Sequence, residues 1–199
     1  LFINTEDGFM AYPLPGSAQF SAAFAAVVAD FDNDGNEDIF LSQNTFAGRI
    51  KEPRLDGGRG LWLKGDGKGD FVAIPGQESG IKIYGQQRGA ALSDFNRDGR
   101  VDLVVTQNDA ATKLYKNQTE RQGLRIRLAG PPTNQTAIGA GIRLIYESGE
   151  KGPRREIQAG SGYWSQNSST QVVGMENEPV AIEVSWPDGT VQEVDISRG

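Results

Sequence analysis

The sequence contains neither cysteine nor histidine among its 199 residues. Without cysteine there is no disulfide bond and no thiol nucleophile, and without histidine there is no imidazole acid, base or catalytic triad. Zinc sites built from nitrogen and sulfur ligands are excluded for the same reason. Most of the familiar catalytic machinery is therefore missing from this chain.

Long apolar runs and clusters of basic residues are also absent. No stretch approaches the roughly 18 apolar residues of a membrane-spanning helix, so we expect no membrane span. The formal charge is −6 and the lysines and arginines are scattered, which argues against a nucleic-acid partner. The chain does not start with a basic segment followed by an apolar one, so we expect that any export signal has been removed or lies outside it.

The sequence is rich in glycine and in short apolar bursts. Hydrophobic residues make up 37%, and there are 26 glycines and 9 prolines. Short apolar bursts between turn residues favour many strands joined by tight turns. The composition therefore predicts an all-β fold, and the length allows one large domain or two smaller ones.

One segment of the sequence occurs twice. Residues 30–38 (DFDNDGNED) recur as residues 94–102 (DFNRDGRVD), and the similarity continues in register through residues 39–44 and 103–108. Small apolar residues precede both copies. Each copy is therefore predicted to be a strand, a nine-residue loop and a second strand.

The loop pattern D-x-[DN]-x-D-G-x-x-D is typical of a cation site. Alternation points the oxygen-bearing side chains at positions 1, 3 and 5 towards one centre, glycine permits the reversal, and position 9 closes the cage. A backbone carbonyl at position 7 would add an oxygen, and such a set of hard ligands suits Ca²⁺ better than Mg²⁺. Phe31 and Phe95, at position 2, are predicted to point into the core. The predicted calcium ligands are Asp30, Asp32, Asp34, Asn36 and Asp38 in the first loop, and Asp94, Asn96, Asp98, Arg100 and Asp102 in the second.

Other interpretations of these acidic loops are weaker. Solvated turns also use aspartate, asparagine and glycine, but two identical spacings favour a metal site. An EF-hand would have glutamate at its twelfth position, where this chain has Leu41 and Val105. Asn96 makes the second cage one charge poorer, so we expect it to bind calcium more weakly. Residues 65–70 offer only two carboxylates and are predicted to form a hairpin turn.

With its flanking residues, the repeat resembles the FG-GAP/VCBS repeat found in blades of calcium-bearing β-propellers. The resemblance covers roughly residues 1–117 and implies one Ca²⁺ in the turn between two strands of each blade. A closed propeller takes about four to eight blades, and this chain has at most two repeats. We therefore expect a partial β-propeller of two calcium-loop blades over residues 1–120, as the C-terminal part of a larger protein.

The pattern changes after Asn117. Residues 124–128, 141–146 and 180–186 alternate as half-buried antiparallel strands do, and Pro187-Asp188-Gly189 predicts a hairpin turn. We expect a small antiparallel β-sandwich or barrel over residues 121–199.

This half resembles the ASPIC/UnbV domain. The resemblance rests on residues 123–128, 134–140, 155–167 and 184–190. This domain typically follows FG-GAP/VCBS repeats in secreted proteins, including those of the cartilage acidic protein type. The resemblance therefore implies secretion, but it supplies no substrate.

Residues 160–167 form the most site-like stretch of the second half. An aromatic pair framed by glycine, serine and amide side chains could stack on a sugar ring, with Tyr163, Trp164, Gln166 and Asn167 as ligand-binding residues. Alternatively, the two aromatic residues plug the base of the sandwich while the glycines form a bulged loop, and this interpretation is preferred.

The leading hypothesis is a non-enzymatic, calcium-binding adhesion or recognition module, secreted or at the cell surface, with a glycan or an extracellular protein as partner. The alternative is a polysaccharide-active enzyme, with acid and base roles for Glu147, Glu156 or Glu183, or its carbohydrate-binding accessory domain. A purely structural segment differs from the first hypothesis only in lacking a ligand.

Overall fold

A computed structural model describes residues 1–46 and 56–196, which form an all-β fold. In these residues no helix is both long enough and apolar enough to span a membrane. The strands are β1 (Phe2–Thr5), β2 (Gly8–Ala11), β3 (Ala23–Ala29), β4 (Asp38–Gln43), β5 (Leu61–Gly65), β6 (Phe71–Ile74), β7 (Gln86–Ser93), β8 (Asp102–Asn108), β9 (Ala110–Tyr115), β10 (Leu124–Ile126), β11 (Gly141–Tyr146), β12 (Arg155–Glu156), β13 (Gln171–Val173), β14 (Pro179–Ser185) and β15 (Val191–Asp195). A 3-10 helix spans Gly16–Gln19, and a short α-helix spans Gly76–Ser79.

The first half contains three antiparallel sheets. Strands β1 and β2 form a hairpin, the second sheet has the order β3-β4-β5-β6, and the third has the order β7-β8-β9. Ala29 pairs with Asp38 at the end of the β3–β4 pair, and Ser93 pairs with Asp102 at the end of β7–β8. Both repeats are therefore a strand, a loop and an antiparallel strand, as the sequence predicts.

The two repeat sheets share one hydrophobic core. Along β3, Ala25, Val27 and Ala29 are buried, whereas the intervening Val28 is exposed, because successive side chains of a strand point to opposite faces. They join Phe40 and residues of β7 and β8 in a single buried cluster. The repeats thus pack against each other. In the described residues their sheets do not close into a propeller, which stays a prediction.

The inward orientation predicted for position 2 of the loops is wrong for Phe95. Phe31 packs against the core and meets the ring of Trp62 edge to face at 6.2 Å, whereas Phe95 is 53% exposed. Phe31 lies in the gap between the two repeat sheets, beside Tyr115. No third sheet of this kind follows the second in the described residues, so Phe95 has no equivalent surface to pack on.

The second half has its own core between two sheets. One sheet has the order β12-β11-β14-β15, and the other consists of β10 and β13. Ile126 and Val173 of the small sheet share a buried cluster with Ile142 and Leu144 of the large one. The predicted hairpin is present, because β14 pairs with β15 across the turn that contains Gly189.

Strand β13 joins the two cores. Val172 belongs to the core of the repeat sheets, and Val173 belongs to the core of the second half. Adjacent residues of a strand face opposite sides, so this short strand contributes to both. The contact is reinforced by Arg155, which binds Glu37 of the first loop and the carbonyl oxygen of Val172.

Candidate metal centre

The first acidic loop, residues 30–37, joins β3 to β4. Its reversal depends on two residues with positive φ, Asn33 at 55° and Gly35 at 96°. Asparagine and glycine adopt this conformation at low cost, so the local sequence specifies the turn.

Two buried carboxylates at the ends of the loop hold its backbone. Asp30 accepts hydrogen bonds from the backbone N–H groups of Asp34 at 3.0 Å and Gly35 at 2.7 Å. Asp38 accepts them from Phe31 at 3.0 Å and Gly65 at 2.9 Å. The loop is therefore shaped by its own carboxylates.

The same carboxylates converge. Asp30, Asp32 and Asp38 each place an oxygen atom so that all three lie within 4.8 Å of one another. Within the described ranges, this is the one group of three or more acidic, histidine or cysteine side chains that satisfies this geometry. Asp34 lies at the edge and accepts the backbone N–H of Asn36 at 2.9 Å.

Burial makes Asp30 and Asp38 reluctant to ionise. Loss of solvation raises the pKa of Asp30 to about 7 and that of Asp38 to about 6. Burial also raises the pKa of Asp34, but hydrogen bonds from Lys64 and from the backbone of Asn36 outweigh it and leave that pKa below its ordinary value. A divalent ion would favour the ionised forms.

Lys64, which the loop motif does not predict, lies beside these carboxylates. Its ammonium group binds the carboxylate of Asp32 and lies 2.8 Å from that of Asp34. The two aspartates raise the pKa of Lys64, against the effect of burial, so it stays charged. The signal was its place near the end of the apolar β5 segment. Leu63 pairs with Ile39 of β4, so the next residue, Lys64, lies beside the loop.

One oxygen of the cluster has no protein partner. Asp32 Oδ1 is buried and accepts no hydrogen bond from the described residues, although its other oxygen binds Lys64. A buried carboxylate oxygen without a partner is costly unless a cation or water meets it. The first loop therefore fits a hard cation for two reasons: its donor atoms are carboxylate oxygens, and one of them has no hydrogen-bond partner.

The second loop, residues 94–101, repeats the backbone scaffold. Asp94 accepts the N–H groups of Asp98 at 2.9 Å and Gly99 at 3.0 Å. Asp102 accepts those of Phe95 at 3.1 Å and Asn117 at 2.8 Å. The two loops thus have equivalent anchors at positions 1 and 9.

The charges of the second loop are arranged differently. Asp94 forms an ion pair with Arg125 at 2.5 Å, and Asp98 lies 3.6 Å from both Arg100 and Lys116. Asn96 donates to Asp98 at 2.8 Å. The carboxylates of this loop do not converge as those of the first loop do. At position 7, Asn36 and Arg100 each donate a backbone N–H to the aspartate at position 5.

The aromatic loop of the second half is exposed, so the preferred prediction that it plugs the sandwich is wrong. Trp164 is 95% exposed and Tyr163 is 40% exposed. Gly162 lies against the repeat sheets instead, since an added Cβ there would lie 2.7 Å from the carbonyl oxygen of Ala90. The close approach of this glycine turns the aromatic pair outwards.

The other two predicted ligand-binding residues of this loop have different surroundings. Asn167 is partly buried and accepts the backbone N–H of Leu92 at 3.0 Å, which fixes the loop to the edge of β7. Gln166 is exposed and lines an open groove. Asn167 is thus an anchor, and Gln166 is available to a ligand.

The second half of the chain matches a known protein family. Residues 130–198 match the family model described as ASPIC and UnbV. The predicted ASPIC/UnbV resemblance is confirmed for these residues, whereas the FG-GAP/VCBS assignment of the first half stays a prediction. The last matched residues, 197 and 198, lie outside the described part of the chain.

Longer similarities extend across both halves. Cartilage acidic protein 1 of Xenopus tropicalis is 25% identical over 178 residues, which is 87% of this chain and 27% of that protein. Its counterpart from Homo sapiens is 25% identical over 180 residues, which is 87% of this chain and 26% of that protein. The chain therefore spans about a quarter of the length of these relatives.

Proposed function

We propose that this chain is a secreted or cell-surface, calcium-binding recognition module without enzymatic activity. In this proposal, the two acidic loops are FG-GAP/VCBS-type calcium sites in two blades of a larger β-propeller. The ASPIC/UnbV-like half packs on these blades and displays loops for a glycan or an extracellular protein. Adhesion is the role that such a module serves.

The observation that carries the proposal is the convergence of the carboxylate oxygens of Asp30, Asp32 and Asp38 within 4.8 Å. Two carboxylates about 4 Å apart repel by roughly 4 kcal/mol at an effective dielectric constant near 20. A divalent cation among them removes this repulsion and satisfies the buried Asp32 oxygen. Lys64, which lies beside Asp32 and Asp34, supplies part of that positive charge from the protein itself.

Calcium has a structural role in this proposal. Extracellular modules bind calcium with dissociation constants of about 10⁻⁴ to 10⁻³ M, which suits a site that shares its carboxylates with a lysine. At about ten times the dissociation constant, each site adds roughly 1.4 kcal/mol to the free energy of unfolding. That is a large part of the stability margin of a small domain.

Secretion and the larger propeller are supported by the sequence relationships. The second half matches a family model, and the relatives that match most of this chain are more than three times its length. The repeat sheets also pack side by side through β3 and β7, the first strand of each, as neighbouring blades of a propeller do.

Calorimetric titration of the metal-free chain with calcium tests the proposal. We expect binding in the millimolar range or tighter, and a higher melting temperature with calcium than with chelator. Asp32→Asn should weaken calcium binding at the first site about fivefold or more, because it removes one negative charge from the converging group. Asp66→Asn is the matched control, since Asp66 is an exposed hairpin aspartate that binds the N–H groups of Lys68 and Asp70. Equal melting curves with calcium and with chelator would exclude the proposal.

The enzyme hypothesis has less support. Glu156 lies 3.4 Å from Arg154, and Glu183 pairs with Lys151, so both carboxylates are held by basic neighbours. Release of reducing ends from any polysaccharide by the purified chain would restore this hypothesis.

A further inference from the structure

Trp164 is the most exposed of the large hydrophobic side chains in the described residues, at 95%. It also has a φ of 52°, in the left-handed region that a bulky residue adopts only at a cost. Gly160 and Gly162 flank it in the same turn, yet this position carries the largest side chain. A strained backbone that holds an exposed tryptophan indicates a role for the ring outside the fold.

The turn that carries Trp164 is rigid. The N–H of Ser161 donates to the carbonyl of Ser165 at 2.8 Å, and the Ser165 hydroxyl donates to the carbonyl of Tyr163 at 3.0 Å. Beyond the turn, the N–H of Ser168 donates to the carbonyl of Leu92 at 2.8 Å. The turn is thus closed on itself and tied to β7, so the backbone position of Trp164 is fixed before a ligand arrives.

A chain of ring contacts connects Trp164 to the repeat sheets. The Tyr163 ring lies 6.3 Å from that of Trp164 and meets the Phe24 ring edge to face at 6.0 Å. The guanidinium carbon of Arg88 lies 3.9 Å from the centre of the Phe24 ring. Tyr163 and Trp164 therefore form an exposed aromatic platform, anchored in the first repeat sheet by Phe24 and in the second by Arg88.

A groove with a largely apolar surface and several uncharged polar groups begins at Gln166, two residues after Trp164. It has a volume of about 520 Å³ and is lined by Ser93, Gln166, Ser168 and Ser169, with Leu92 and Val104 among the apolar residues. Its lining contains hydroxyl and amide groups and no ionised side chain. Aromatic faces beside uncharged hydrogen-bonding groups match the alternating apolar and hydroxyl surfaces of a sugar ring.

We propose that the aromatic platform and this groove bind a neutral polysaccharide, with a sugar ring stacked on Trp164 and adjoining hydroxyl groups bonded along the groove. The net charge of −6 and the uncharged groove disfavour an anionic chain. The inference rests on the proposed recognition role and names the class of ligand for it.

Affinity electrophoresis of the purified chain in gels containing hydroxyethyl cellulose, xylan or mannan tests this site, with heparin as the anionic probe. At least one neutral polysaccharide should retard the protein. Trp164→Gly should weaken that binding about tenfold or more, as loss of a central aromatic contact does. Trp164→Phe should keep part of it. Phe9→Ala removes another exposed ring, 75% exposed on β2, and should change nothing.

Folding is checked on the same samples. Glycine tolerates a positive φ, so Trp164→Gly should melt at the parent temperature or above it. Bound polysaccharide should also protect Trp164 fluorescence from acrylamide, and this protection should be absent in the glycine variant. No retardation by any neutral polysaccharide, undiminished binding by the glycine variant, or retardation by heparin alone would each overturn the inference. The calcium-dependent melting shift reports separately on the proposed function, which stands if that shift persists.

Discussion

The two acidic loops have the same backbone scaffold and different electrostatics. In both, the carboxylate at position 1 accepts the N–H groups of positions 5 and 6, and position 9 accepts the N–H of position 2. In the first loop three carboxylates converge beside one lysine, whereas in the second the acidic side chains are distributed among Arg100, Lys116 and Arg125. The repeated motif thus gives both loops the same backbone shape, whereas the basic residues around each loop determine how its carboxylates are paired.

The largest effect should come from the shared scaffold. Asp30→Ala leaves the N–H groups of Asp34 and Gly35 without their acceptor, so we expect a loss of about 3 kcal/mol in the free energy of unfolding, measured by urea denaturation in chelator. Asp94→Ala removes the equivalent anchor and should cost a similar amount. A large difference between the two variants in chelator would show that the scaffolds are not equivalent.

Removal of the lysine should sharpen the electrostatic contrast. Lys64→Met takes a charge from beside Asp32 and Asp34, so calcium affinity at the first loop should rise about tenfold in a calorimetric titration, a modest value because Lys64 is partly exposed to solvent. Lys116→Met is the matched change at the second loop. It should have a smaller effect, since Lys116 is more exposed and lies 3.6 Å from its aspartate.

A gain of charge in the second loop should reduce the difference between the sites. Asn96→Asp restores the carboxylate that the first loop has at position 3, and we expect an increase of about fivefold in calcium affinity there. If Asn96→Asp left the affinity of the weaker calcium-binding step in the titration unchanged, charge would not explain the difference between the two loops.

The two loops should also differ in how strongly they depend on pH, although burial raises the pKa of Asp102 in the second loop as well. Asp30 and Asp38 have pKa values raised to about 7 and about 6, so between about pH 4 and pH 7 the folded, metal-free chain holds protons that the unfolded chain has lost. Their contribution to stability is therefore present at low pH and is lost as the pH rises through about 7.

Calcium must displace those protons. At pH 6 we expect about one proton released per ion at the first loop, and almost none at pH 8. Calorimetry in buffers of different ionisation enthalpy counts them. Proton release that is equal at pH 6 and pH 8 would contradict the raised pKa values.

Local pattern was enough to predict the elements that position the site. Alternation and turn residues predicted both repeat hairpins and the turn at Gly189, because these depend on neighbours in sequence. The segment 65–70 is likewise a hairpin turn between β5 and β6, with Asp66 bound to backbone N–H groups. The converging carboxylates of the first loop lie at positions that the same local spacing predicts.

Contacts between segments that are distant in the sequence could not be predicted from local pattern. Lys64 reaches the first loop through strand register, and Arg125 reaches the second from beyond the repeat. Phe95 is exposed at the surface of the described sheets, and Trp164 is exposed on a turn whose Gly162 approaches the carbonyl oxygen of Ala90. Each of these depends on which sheet lies opposite, which no local pattern specifies.

The close approach of β13 to the first loop has a further consequence. Gly174, the residue after this strand, lies so near the carboxylate of Asp30 that an added Cβ would overlap it. The strand that joins the cores is thus held in register by the same side chain that anchors the candidate cation site. A cation bound in that loop and the docked second half would both contact Asp30, so any change that docking makes to cation affinity must be matched by an equal change that the cation makes to docking.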